Sequence, residues 1–277
     1  RLVPNRSGWG LLMGSIVEFP SNGSTGAGYF APAAGGGPGV VVIQEWWGLV
    51  PHIEEICDRF AAAGFSALAP DLYHGDSVPN TEPDEAGKLM MALNLEQAAK
   101  DLRGAIAYLK ASDATGSTGV GVIGFCMGGG LALVVACNES QDVVACAPYY
   151  GLIPWEGAAP DYSNLSGPVH GHYAENDGFC SPALAKALEQ DLVQTYGKDA
   201  VLEVHPGVDH AFFNDHRPEV YSHQEAEAAF AETVASGAEP DQIVGRQLDD
   251  AVVGALDPAH RVGDVDIDVD AALFLAP

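Results

Sequence analysis

Positive charge is scarce in this chain: Lys and Arg number 12 against 38 Asp and Glu, a formal net charge of −26. A surface of that sign cannot neutralise phosphates, which excludes nucleic acid and anionic membrane as partners. Long hydrophobic runs are also missing, and without eighteen or more consecutive apolar residues no membrane span is expected. The five cysteines, Cys57, Cys126, Cys137, Cys146 and Cys180, are odd in number and show no C-x-x-C spacing. That argues against a disulfide framework and for reduced thiols in the cytoplasm. Residues 1 to 12 lack the continuous apolar stretch and small-residue cleavage site of a secretory signal. They read as an extension or vector remnant before Met13.

Apolar residues, at 47%, are sufficient for one large domain with a substantial core. Short apolar runs at 39–44, 66–70, 119–124, 143–148, 168–173 and 201–205 read as strands. Helical patterns at 52–63, 84–110, 182–196 and 222–235 lie between and after them. This alternation predicts an α/β chain, a mostly parallel sheet with helices on both faces. The catalytic domain is expected over 13–236. Residues 238–277 carry nine acidic and two basic residues, including "GDVDIDVD", and 237–277 is read as an acidic C-terminal extension.

The segment "GVIGFCMGGG" (121–130) ends a buried run on a thiol between glycines. In a strand-turn-helix of pattern G-x-nucleophile-x-G, the nucleophile sits on a sharp, strained turn where larger neighbours collide. Gly124, Cys126 and Gly128 fit it. The turn exposes the thiol at the carboxyl end of the sheet, the helix N-terminus favours negative charge there, and the Met127 N–H is placed to stabilise an oxyanion.

A nucleophile needs a base, and the base an orienter. Asp177 follows one strand in "HYAENDGFCSP", and His210 follows the next in "VHPGVDHAFFND". The order Cys126, Asp177, His210 is that of the α/β-hydrolases. After the first buried run, "VVVIQEWWGLVPHI" offers the Trp46 N–H as the second oxyanion donor. Beside it, Glu45 either holds the thiol protonated until substrate arrives or accepts its proton.

Together "QEWWG" (44–48), "APDLYHG" (69–75), "GFCMGG" (124–129), "END" (175–177) and "DHAF" (209–212) resemble the dienelactone hydrolases, or carboxymethylenebutenolidases, from about Met13 to Ser236. The resemblance implies an α/β-hydrolase fold and opening of an unsaturated lactone without metal or organic cofactor. It makes Cys126 the nucleophile, His210 the base, Asp177 its orienter, Glu45 a contact of the resting thiol, and Trp46 and Met127 the oxyanion hole. The family's best-known members grip a substrate carboxylate with two arginines, where this chain has Gly75 and Asn214. Arg217, His74 and Lys88 are the candidates to substitute. Trp47, Tyr73, Phe179 and Phe212, with Trp46, are expected to line an apolar pocket for a neutral ester or lactone.

The expected reaction is acyl transfer: thiolate attack, an acyl-thioester, then hydrolysis by a water that His210 deprotonates. Because a thiolate is itself a good leaving group, activated esters, enol-lactones and thioesters are favoured over simple alkyl esters. The rivals are a carboxylesterase or thioesterase on a neutral substrate, a thiol sensor or binding module on the same scaffold, and a metal hydrolase built on His170 and His172. The small residue between those two histidines suits a core strand, so no metal is expected. The expected partner is a small-molecule ester or lactone, and a homo-oligomer is compatible with the sequence.

Overall fold

The computed structural model describes residues 14–236 apart from 154 and 156. The expected extensions at 1–12 and 237–277 lie outside the described residues. Eight strands form one sheet in the order β1-β2-β4-β3-β5-β6-β7-β8: β1 Ser15–Ser21, β2 Ser24–Ala31, β3 Gly37–Ile43, β4 Ser66–Pro70, β5 Thr115–Phe125, β6 Val143–Tyr149, β7 Val169–Ala174 and β8 Ala200–His205. β3 to β8 run parallel, while β1 and β2 form an antiparallel hairpin beside β4.

Why these runs form central strands is visible in β3. Val41 and Ile43 enter one apolar core, Val40 and Val42 the other, so both faces are buried and the strand reads as continuously apolar. Helices α3 (Leu95–Ala111), α4 (Met127–Asn138) and α5 (Pro182–Gln190) contribute to the first core. Helices α1 (Pro51–Ala62) and α6 (His223–Ser236) contribute to the second. The remaining helix, α2 (Pro83–Met91), supplies Ala86 to a smaller cluster with Trp47 and Val78.

Local signals set the element ends. α1 begins with Pro51 at its first turn, buries Ile53, Ile56, Cys57 and Phe60, and stops before Gly64 at φ 95°. The single helical pattern over 84–110 is two helices: Asn94 interrupts it and caps α3 by accepting from the Gln97 N–H at 3.1 Å. Gly119, Gly121 and Gly124 spell the glycine spacing of a dinucleotide loop, but all three lie inside β5 and form no loop. No helix among the described residues is long and apolar enough to cross a membrane.

Candidate active site

Cys126 stands between β5 and α4 with φ 54° and ψ −118°, a backbone region that L-residues seldom occupy. Glycine is required around it. A Cβ on Gly124 would meet the Gly128 carbonyl oxygen at 1.9 Å, and one on Gly128 the Ile43 carbonyl oxygen at 2.4 Å. The turn is held by the Cys126 N–H donating to Tyr149 O at 3.0 Å and the Gly129 N–H donating to Cys126 O at 2.9 Å. Cys126 is half-buried, whereas the other four thiols are buried. For Cys57 and Cys146 that burial pushes the thiol pKa upward.

The loops after β7 and β8 bring Asp177 and His210 together. His210 Nδ1 lies 2.6 Å from Asp177 Oδ2, while Asp177 Oδ1 accepts the Phe179 and Cys180 N–H groups at 2.7 and 2.9 Å. Burial works against charge on His210, but hydrogen bonds to Asp177 and Cys126 and their negative charge raise its pKa to about 10. For Asp177, burial opposes ionisation, yet the bond to His210 and the two backbone donors hold its pKa below the usual value. Phe179, 78% exposed, sets its ring 5.6 Å from the His210 ring. Such a base, held by a buried carboxylate and facing a thiol on a strained turn, is equipped for acyl transfer.

Glu45 follows β3 and is almost wholly buried. Asn214 Nδ2 donates to its Oε2 at 2.7 Å and Tyr150 OH to its Oε1 at 3.3 Å. Asn214, which draws attention in the sequence only for standing where an arginine is expected, thus holds a carboxylate of the site. Tyr150 is a residue of the site that sequence reasoning misses. Its ring packs 5.1 Å from His210, and its place at the carboxyl end of β6 is the available signal.

The expected substrate-contacting side chains are divided. Trp47, with His52, Val78, Asn214 and His216, lines a cavity of about 200 Å³. The guanidinium carbon of Arg217 lies 5.9 Å from the Trp47 ring centroid, and its Nε is paired with Glu219. Trp46 packs on Trp47 at 5.1 Å. Tyr73 is buried, its hydroxyl donating to Trp46 O and Met127 Sδ at 3.3 Å each. Two expectations need correcting. Phe212 has no exposed surface to offer a substrate because it packs in the core between Tyr150 and His205. His74 is drawn to α3, where its Nε2 lies 2.9 Å from the buried Asp101.

The family model for the dienelactone hydrolase family matches residues 27–236. The chain belongs to the dienelactone hydrolase family. Protein usf of Aquifex pyrophilus is 38% identical over 80% of this chain and 97% of its own. An Aquifex aeolicus protein provisionally named carboxymethylenebutenolidase is 36% identical over 77% of this chain and 93% of its own. A Klebsiella pneumoniae structure carrying a provisional dienelactone hydrolase name superposes with a TM-score of 0.71 at 27% identity, covering 82% of this chain and 99% of that one. The sheet order and helix placement are those of an α/β-hydrolase. As a dienelactone hydrolase family member, the protein is a hydrolase of esters or lactones.

Proposed function

We propose that this dienelactone hydrolase family member is a cytoplasmic cysteine hydrolase that opens activated, uncharged esters or enol-lactones through an acyl-thioester on Cys126. The observation carrying this reading is the positive φ of Cys126 between two glycines that admit no Cβ, with His210 braced by Asp177 beside it. His210 takes the proton of Cys126 and becomes the imidazolium. Sulfur adds to the acyl carbon, and the Met127 and Trp46 amides receive the developing oxyanion. The carbon–oxygen bond breaks, and His210 gives its proton to the departing alkoxide or enolate. The neutral imidazole then takes a proton from water, hydroxide attacks the thioester, and Cys126 leaves and regains its proton from the imidazolium.

An uncharged substrate follows from two features. Asn214 is committed to Glu45 rather than to a ligand carboxylate, and a net charge of −26 repels anions. Turnover of a neutral enol ester, an enol-lactone carboxylate and p-nitrophenyl acetate by wild type and Cys126→Ala tests the assignment. The expected loss is at least about a thousandfold in kcat/KM, with the neutral enol ester turned over fastest by wild type. Undiminished turnover in Cys126→Ala would remove the nucleophile assignment, and preference for the carboxylate would remove the substrate class.

A further inference from the structure

A second cluster of chemistry-bearing side chains lies under α6. Strand periodicity puts His170 and His172 on one face of β7, and the parallel register opposes His172 to Glu203 of β8, at the sheet edge. α6 adds Glu232 next to Thr233, which faces the sheet. One ligand atom from each of His170, His172, Glu203 and Glu232 lies within 4.8 Å of all the others. None of these residues belongs to the Cys126, His210 and Asp177 constellation.

We propose that His170, His172, Glu203 and Glu232 bind a divalent transition metal of the zinc class, which ties α6 to the β7–β8 edge of the sheet. The spacing fits such an ion. Zinc bonded to nitrogen and oxygen at about 2.0–2.1 Å holds its tetrahedral ligands about 3.3 Å apart. Here His170 Nε2 is 3.4 Å from Glu203 Oε1, and His172 Nδ1 is 3.7 Å from Glu232 Oε2. The other pairs lie within 4.8 Å, so closing the shell takes shifts of up to about 1.5 Å at the ends of these side chains.

The contacts within the cluster point the same way. His170 Nε2 and Glu232 Oε2 are shielded from solvent, and their contacts with Glu203 and His172, at 3.4 and 3.7 Å, are longer than good hydrogen bonds, so an ion between them satisfies these atoms better than they satisfy one another. His172 is oriented from behind. Its Nε2 lies 3.1 Å from Thr233 Oγ1, and a proton donated there leaves Nδ1 as the coordinating nitrogen. His205, 3.1 Å from that Nδ1 and backed by Glu225 at 2.9 Å, gives up its hydrogen bond when metal enters. Two imidazoles with two carboxylates suit zinc, cobalt or nickel better than the oxygen-seeking magnesium or calcium. Four protein ligands leave no open position, so the ion has a structural role and takes no part in hydrolysis.

The test is calorimetric titration of the full chain with Zn²⁺, using wild type, Cys126→Ala, and Cys126→Ala combined with His170→Gln or with Glu232→Gln. The Cys126→Ala background removes metal captured by the active-site thiol. One equivalent should bind to Cys126→Ala and raise its Tm by roughly 5 °C or more at a hundredfold excess over Kd. Each second substitution should weaken binding at least tenfold and cancel the shift. In the Cys126 wild-type background, His170→Gln and Glu232→Gln should hydrolyse esters at the normal rate. Co²⁺ on Cys126→Ala should give the intense visible bands of a tetrahedral nitrogen and oxygen site without a thiolate charge-transfer band, a readout that does not depend on the folding of the second-site variants. No equivalent in Cys126→Ala, unchanged affinity in both double variants, or a sulfur-ligated or octahedral cobalt spectrum would each overturn the proposal.

Discussion

Asn214 Nδ2 donates to Glu45 Oε2 at 2.7 Å, with both side chains buried at the carboxyl edge of the sheet. A buried carboxylate is stable only while its lone pairs are engaged, and the other oxygen has only the longer contact with Tyr150. Asn214→Leu, which keeps the branching at Cγ and removes the donor, should cost about 1.5–3 kcal/mol. Asn214→Asp should cost more, since it sets two acids against one another. Urea midpoints for the two variants check both the size and the order, and equal stabilities would show that the amide is not what holds Glu45.

The pairing of Asp177 with His210 makes stability depend on pH with a definite sign. The folded-state pKa of His210, about 10, lies above the ordinary histidine value of about 6.5. Its contribution is therefore complete below about 6.5 and is lost as pH rises through about 10. Asp177 is depressed, so its contribution is present above its ordinary value of about 4 and is lost as pH falls through the folded value. The stability difference between wild type and Asp177→Asn should thus be widest between about pH 4 and 6.5 and shrink on both sides. Denaturation midpoints of both proteins from pH 3 to 11 measure it. The same substitution should lower kcat/KM by about 10²–10⁴, because the imidazole loses both its tautomer and its orientation. A flat stability difference would refute the pairing.

Glycine dependence at the elbow should be local. Gly128→Ala places its methyl group 2.4 Å from the Ile43 carbonyl oxygen and 2.5 Å from the carbonyl oxygen of Gln44. With backbone on that side of the contact, nothing can yield cheaply, and a loss of more than about 3 kcal/mol is expected, together with hydrolysis. Gly116→Ala, in β5 and with no atom within 4 Å of its new methyl group, should stay within about 0.5 kcal/mol of wild type. Thermal unfolding of the two variants side by side provides the comparison.

β3 and β4 are legible because burial on both faces makes them continuously apolar, whereas β8, at the sheet edge, alternates buried and exposed residues and is legible from its short β-branched run. The β1–β2 hairpin was missed since its strands mix polar and apolar residues, with Ile16 left 60% exposed. Its turn did carry a signal: Asn22 and Gly23, at φ 39° and 99°, are the Asn-Gly pair that favours a tight hairpin. Cys126, Asp177 and His210 were readable as residues at strand ends, where parallel sheets gather their chemistry. The environment of Glu45 was not, because Tyr150 and Asn214 reach it from 105 and 169 residues away. Phe212 could not be distinguished from a pocket aromatic, since burial depends on the packing of Tyr150 and His205 around it.

The dihedral angles of Cys126 also limit which nucleophiles this scaffold can ever carry. Replacing sulfur by oxygen leaves the Cβ unbranched and the backbone undisturbed, so thiol and hydroxyl chemistry are separated by a single exchange. A threonine would add a branch where the chain is already under strain. The turn therefore admits nucleophiles unbranched at Cβ and shuts out threonine on geometry, before any question of reactivity arises.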